Sequence, residues 1–302
     1  MFPSRFLLAT FIGAAALAGT VSTATADVCA ACAALTAAPT ASAAFTPLLD
    51  EKLSQWESYL GVPDPSITVP GYTYAKGKPI GLRDPKGVYS VKLENGEPVL
   101  HVTGEIFGGL TSKASYGNFH LRFQFRWGEK KWPPRANAKK RDGGFIYHAI
   151  GKHGFFLNSW KHSVQLQIQE TDVGDFAPLF ESRAFKAEVP FLEGRYSSGA
   201  PLQTRGGYVA HGGGNFEKPN GEWNSLEVIA FGADVVHVLN GKVVNVLRNL
   251  RYVDVKSGDK KEIPLTAGQF QIQSEGAEMD FRRIELRPLT TLPSEYVSVL
   301  GK

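Results

Sequence analysis

Between positions 118 and 127 apolar and polar residues alternate without a break. Phe119, Leu121, Phe123, Phe125 and Trp127 take one side; His120, Arg122, Gln124 and Arg126 take the other. A period of two held this long marks a half-buried β-strand. Shorter stretches repeat the signal at 88–93, 98–104, 143–150 and 223–231, and again in F-Q-I-Q (270–273) and F-R-R-I-E-L-R-P-L (281–289). Inside V-V-H-V-L-N-G-K-V-V-N-V, Asn240-Gly241 predicts a tight hairpin turn. No amphipathic helical period of useful length and no fixed-period repeat is visible.

Many strands punctuated by turns, with no helices between them, predict an all-β chain. The expected architecture is a jelly-roll β-sandwich of two antiparallel sheets. Composition agrees: 32 Gly and 18 Pro supply turns, and 19 Phe supply strand and core material. The strand signals fall within 45–290, read as one domain, with 291–302 as a C-terminal tail. Strand order does not follow from the pattern.

The chain opens differently. Arg5 precedes an apolar run over 6–19, and small residues lead to Ala24-Thr25-Ala26. This is the pattern of a cleaved export signal over 1–26. The run is short for a bilayer span, and no later stretch reaches the ~20 apolar residues such a helix needs. The expected mature chain is exported, secreted or periplasmic, with no transmembrane segment. An Ala/Thr-rich linker follows at 27–44. It carries both cysteines, Cys29 and Cys32, whose C-x-x-C spacing lacks the strand–helix setting of a redox motif and reads as a local disulfide.

The net charge of +4 falls to +3 without Arg5, 32 basic against 29 acidic residues. Much of the basic excess sits in 129–142, E-K-K-W-P-P-R-A-N-A-K-K-R-D. Two prolines and little aromatic interleaving make this a solvated loop rather than a nucleic-acid patch, so no nucleic-acid partner is expected. A monomer is expected.

Candidate chemistry centres on 163–176, S-V-Q-L-Q-I-Q-E-T-D-V-G-D-F. Val164, Leu166 and Ile168 belong to a core face, which leaves Gln165, Gln167 and Gln169 on the outer face of their sheet. Amides offer donor and acceptor together and suit sugar hydroxyls. An ordinary wet sheet face is the plain alternative. Amides cannot ionise or act as nucleophiles, so the paired-carboxylate hydrolysis of sandwich glycosidases is not expected along this strand. Proton transfer must come from its ends. There stand Arg141-Asp142, Tyr147, His148, His153, Trp160 and His162 before the strand, and Glu170, Asp172 and Asp175 after it. Histidine exchanges protons near neutrality, or holds a divalent metal beside carboxylates, or is simply structural. The acidic group could bind calcium or cap a turn, and Asp175 fits the turn.

These residues, taken in order, resemble the 3-keto-disaccharide hydrolase domain family. The resemblance starts at F-T-P-L-L-D-E-K-L-S-Q-W and continues through G-G-L-T-S-K-A-S-Y-G-N-F-H-L-R-F-Q-F-R-W and R-D-G-G-F-I-Y-H. It runs on through the glutamine strand, G-E-W-N, H-V-L-N-G and F-R-R-I-E-L-R-P-L, covering about 45–289. It implies a concanavalin-like jelly roll acting on an oligosaccharide or glycoside already oxidised to a ketone at C3. Such a ketone acidifies the C2 proton, so a base, an acid and an enediolate stabiliser suffice: a metal, an Arg or a Lys.

On this reading His148 is base or metal ligand, and Glu170 and Asp172 are acids or metal ligands. Lys113, Arg141, Tyr147, His153, Trp160, Gln165 and Gln167 contact sugar hydroxyls or the ketone. A divalent ion is the one candidate cofactor. Two departures stand out: Gln165 where the family has Glu, and Gly143 where it has Ser or Asn. Without that Glu, a non-catalytic, lectin-like carbohydrate-binding module is the alternative.

Overall fold

A computed structural model describes residues 44–136, 139–180, 184–254 and 261–302. The export signal, Cys29, Cys32 and all of the linker but Ala44 lie outside the described residues. In chain order the strands are β1 (Thr46–Pro47), β2 (Trp56–Leu60), β3 (Tyr89–Glu94), β4 (Glu97–Val102), β5 (Gly108–Tyr116) and β6 (Phe119–Lys131). Then come β7 (Asp142–Ile150), β8 (His162–Gln169), β9 (Phe176–Leu179), β10 (Phe185–Leu192), β11 (Arg195–Tyr196) and β12 (Leu202–Arg205). The last six are β13 (Asn224–Phe231), β14 (Asp234–Leu239), β15 (Lys242–Val253), β16 (Glu262–Pro264), β17 (Gly268–Ser274) and β18 (Ala277–Pro288), before a short helix α1 (Ser294–Val297).

The strands form two antiparallel sheets. The larger runs β11-β10-β15-β14-β13-β6-β18-β4-β3, with β1, β12 and β16 joined at its sides; the smaller runs β2-β5-β17-β7-β8-β9. Alternation decides which faces meet. Phe145, Leu166, Phe270 and Ile272 of the smaller sheet and Phe123, Phe125 and Phe281 of the larger are all buried between them. Phe123 stacks on Phe145 at 4.6 Å and Phe119 meets Phe270 edge-on at 5.0 Å, the offset and T-shaped geometries aromatic rings prefer. Gly143 also faces this core: a Cβ there would stand 2.5 Å from the Met279 sulfur. The missing side chain at 143 therefore serves sheet packing and leaves the outer face untouched.

The hairpin predicted at Asn240-Gly241 joins β14 to β15, with positive φ at both residues (47° and 75°) as a type I′ turn requires. Residues 291–302 dock on the sandwich: Leu300 is buried in the main core and the Lys302 ammonium meets Asp234 at 2.6 Å. Among the described residues no helix is long and apolar enough to cross a membrane.

Candidate functional site

The outer face of the smaller sheet is built from amides. Gln165, Gln167 and Gln169 on β8 are matched by Gln269, Gln271 and Gln273 on β17, with β7 between them. Opposite these glutamines β7 contributes almost no polar side chain. Ile146 pairs with Gln165 on one side and Gln271 on the other, and Gly144 pairs with Gln167. A Cβ at Gly144 would stand 2.3 Å from Gln273 Oε1 and 3.2 Å from Gln165 Oε1. Glycine is what lets two glutamines from flanking strands lean over the central one.

The row ends on a charged triad. Asp142 opens β7 and Glu275 follows β17, so adjacent strands bring two carboxylates to one end of the face. Arg135 lies across both through a single nitrogen, Nη2, bonded to Asp142 Oδ2 and to Glu275 Oε1 at 2.7 Å. Asp142 also accepts from Gln167 Nε2 (2.6 Å), Gln169 Nε2 (2.7 Å) and its neighbour's amide, Gly143 N (2.9 Å). Gln165 Nε2 donates in turn to Gln167 Oε1, so a line of amides ends on one carboxylate.

Two buried carboxylates facing one guanidinium cannot both ionise cheaply. Burial pushes Glu275 up to about 8, and the Asp142 charge adds to the effect against the pull of Arg135. Burial also raises Asp142, to about 6, against Arg135, Gln169 and Gly143 N. Burial thus favours the protonated form of both carboxyls, against the pull of the Arg135 cation. Two carboxyls of raised pKa held by one guanidinium can serve as an acid and a base.

The far end of the face is roofed by the β7–β8 connection. Trp160 packs with Ile146, Ala149 and Leu179, stacks near Phe107 at 5.7 Å, and donates its indole N–H to Gly108 O at 2.7 Å. Lys161 N donates to Gln271 Oε1 at 3.0 Å, and the Lys161 ammonium reaches Gln269 Oε1. Burial lowers the Lys161 pKa.

Of the residues singled out in the sequence, the structure gathers Gln165 and Gln167 at this face. Arg141, Glu170 and Asp172 stand at its rim, each engaged. Arg141 Nη1 holds Glu170 at 2.8 Å, Asn220 adds a bond at 2.8 Å, and Lys140 pairs with Asp172 at 2.6 Å. Burial works against ionisation of Glu170, but these Asn220 and Arg141 bonds keep its pKa below the ordinary value. Asp175 closes the expected turn, its N–H donating to Asp172 O at 3.3 Å, and its carboxylate accepts from His211 N (2.6 Å) and meets His211 Nδ1 at 2.5 Å.

The other predicted residues lie elsewhere. Tyr147 and His148 both point into the sandwich. Pairing of β7 with β8 shifts register between Tyr147 and Ile150, and His148 has φ 51°, so a bulge puts two successive side chains inside. His148 is fully buried, edge-on to Phe119, and burial pushes it down to about 4. Tyr147 bonds the equally buried His237 Nε2 at 2.8 Å. Neither can reach a sugar on the outer face. Lys113 donates to Ser54 O at 2.7 Å on the distal part of β5. His153 pairs with Glu57 at 3.2 Å and stacks on Tyr59, in the roofing connection. Trp160 is the roof itself, buried, with no ring face for stacking. Among the described residues no three His, Cys, Asp or Glu side chains converge as metal ligands, and His148, Glu170 and Asp172 do not meet.

The residues missed were Arg135, Glu275, Gln271, Gln273 and Lys161. One signal for them exists: Q-F-Q-I-Q-S-E (269–275) nearly copies Q-L-Q-I-Q-E (165–170), a second amide strand followed by an acid.

Residues 44–287 match the family model described as the 3-keto-alpha-glucoside-1,2-lyase-like domain, and the chain belongs to this family. Its function is thereby related to carbohydrate. A comparison with curated protein sequences gave no match. Solved structures similar to the chain include a "putative glycosyl hydrolase" from Parabacteroides distasonis (18% identity, 82% of this chain, 100% of that one, TM-score 0.46). Others are a Bacillus subtilis protein of unknown function with a galectin-like fold (12% identity, 81% and 94% covered, TM-score 0.41) and the carbohydrate-binding module CBM66 from Bacillus subtilis (12% identity, 66% and 91% covered, TM-score 0.39).

Proposed function

We propose that this protein cleaves glycosides carrying a ketone at C3, by elimination across C1 and C2 at the Asp142–Glu275 end of the amide face. The observation that carries the reading is a buried carboxylate pair, Asp142 and Glu275, held by one arginine nitrogen, with burial raising both carboxyls, in a chain of this family. Asp142, the more readily ionised partner, takes the C2 proton. The electron pair moves into the C2–C3 bond and the C3 oxygen becomes an enolate oxygen, which Arg135 faces. That oxygen then re-forms the ketone, a C1–C2 double bond forms, and the C1–oxygen bond breaks. Glu275 gives its proton to the departing oxygen. Addition of water to C1 in the reverse sense returns both protons and completes net hydrolysis. Arg135 supplies the cation that this scheme otherwise asks of a metal. The chain acts outside the cytoplasm, on the reading of residues 1–26 as an export signal.

A second reading, a lectin-like module, has one observation in its favour. The Asp142 oxygens already accept from Arg135, Gln167, Gln169 and Gly143 N. The two readings part on product formation from a 3-keto-glucoside. Turnover that persists with a chelator and is lost in Asp142→Asn supports elimination by the triad. Binding without turnover supports the module, and turnover abolished by the chelator alone would transfer the role of Arg135 to a metal.

A further inference from the structure

The outer face of the larger sheet, which points away from the amide face, carries an open groove of about 520 Å³. That lies within the ~300–1,000 Å³ usual for small-molecule sites. Its walls are Arg122 and Gln124 of β6, Ser225 and Glu227 of β13, and Arg283 and Glu285 of β18. Register sets them in rows. Glu227, Arg122 and Glu285 pair across the three strands, and Ser225 pairs with Gln124 in the next row. Ser225 is the shortest of the six. Beside it Phe123 and Leu226, whose side chains turn into the core, offer only backbone as a floor.

A bulge completes the groove. Pairing of β18 with β6 shifts between Arg282 and Glu285, and Arg283 takes φ 52°. The extra residue puts Arg282 and Arg283 on the same outer side and returns Ile284 to the core. Bulges that re-aim a side chain, and non-glycine residues held at positive φ, both recur at binding sites. Each polar group is fixed by one edge. Arg122 gives Nε and Nη2 to Glu285 Oε2 (2.7 Å each) and lies over the Phe45 ring at 3.9 Å. Glu227 Oε2 meets His120 Nε2 at 2.6 Å, and Arg283 gives Nε and Nη2 to Glu97 at 2.6 and 3.4 Å. Gln124 Oε1 accepts from Arg282 Nε at 2.7 Å, and its Nε2 donates to Ser225 Oγ at 3.2 Å. Among the described residues this leaves unspent Oε1 of both glutamates, Nη1 of Arg122 and Arg283, and the Ser225 hydroxyl hydrogen.

We propose that this groove is a second saccharide site, taking a short neutral oligosaccharide on the sheet opposite the amide face. The charges of its two guanidiniums and two carboxylates cancel, so the lining selects for neither an anion nor a cation. What it offers is unspent donors and acceptors side by side on planar forks, which match adjacent hydroxyls in pairs. The forks are held before binding, so little side-chain freedom is lost on it. They are also within reach: the side chains of Arg122 and Arg283 are 50% and 55% exposed. The carbohydrate-related function of the family supplies the setting, and the site does not depend on the elimination reading. Because the two outer faces point apart, the protein can hold a glycan on one sheet while the other stays open to substrate.

The test uses the full chain and a panel of unoxidised neutral tetrasaccharides of glucose, galactose, mannose and xylose, with tetragalacturonate as the charged counterpart. Calorimetry measures affinity for the wild type, Arg283→Gly, Ser225→Leu and Asp142→Asn. Glycine accepts φ 52° without strain, so Arg283→Gly keeps the bulge and removes only the guanidinium. Ser225→Leu fills the groove with a side chain that a strand tolerates. At least one neutral tetrasaccharide should bind the wild type and Asp142→Asn alike, and bind both groove variants ~10-fold or more weakly. No binding of any neutral tetrasaccharide overturns the site. Binding that survives both groove variants and falls in Asp142→Asn also overturns it, and puts the sugar on the amide face. Binding of tetragalacturonate alone overturns the neutral class. A wild-type dimer that Ser225→Leu dissociates, seen by sedimentation, overturns the proposal by giving the groove to a second copy of the chain.

Discussion

Asp142 and Glu275 hold the same nitrogen of Arg135, one from the first residue of β7 and one from just beyond the last residue of β17. Neither carboxylate is remarkable in sequence. Together, buried and held by one guanidinium, they resist being charged at the same time at the end of the amide face.

Stability should record this pair. A carboxyl raised in the folded state binds its proton more tightly than in the unfolded chain, so its contribution is fully present below the unfolded value and is lost as pH rises through the folded one. For Glu275 that window runs from the ordinary 4.5 to about 8. Thermal unfolding of the wild type should therefore fall across this range, and Glu275→Gln should flatten the fall by an amount on the order of a few kcal/mol. An unchanged profile in the variant would mean that Glu275 is not held protonated.

Gly276 should be intolerant of substitution. It has φ +83°, and a Cβ there would stand 2.7 Å from Arg135 Cγ. Gly276→Ala should cost roughly 1–3 kcal/mol in backbone strain and push Arg135 off the carboxylates. Denaturant titration measures the first effect, and lost turnover of a 3-keto-glucoside the second.

The core histidines give a contrast between stability and activity. Tyr147→Phe leaves His237 Nε2 buried without its partner and should cost about 1–3 kcal/mol. His148→Ala opens a hole beside Phe119 and should also destabilise. Both proteins, measured below their unfolding temperatures, should cleave at close to the wild-type rate. A hundredfold loss in either would return that residue to the chemistry.

Much of this was legible in advance, for physical reasons. Strict alternation at 119–127 and 164–169 reports which side chains are inside, because a strand has no other choice. The Asn240-Gly241 turn was equally direct. Tyr147 and His148 misled because a bulge breaks the period without leaving a mark in composition. Arg135 and Glu275 were invisible as partners: 140 positions separate them, and only the pairing of β17 with β7 brings Glu275 beside Asp142. The roof at Trp160 was unreadable too, since a connection without periodicity carries no sign of what it covers.

The most direct test of the central claim is the pH dependence of kcat/KM for a 3-keto-glucoside, in the wild type and in Glu275→Gln. If Asp142 must be ionised and Glu275 protonated, the wild-type profile rises through about 6 and falls through about 8. The variant should lose ~100-fold or more in rate, and the alkaline limb with it. A variant that keeps both the rate and the alkaline limb would contradict the account.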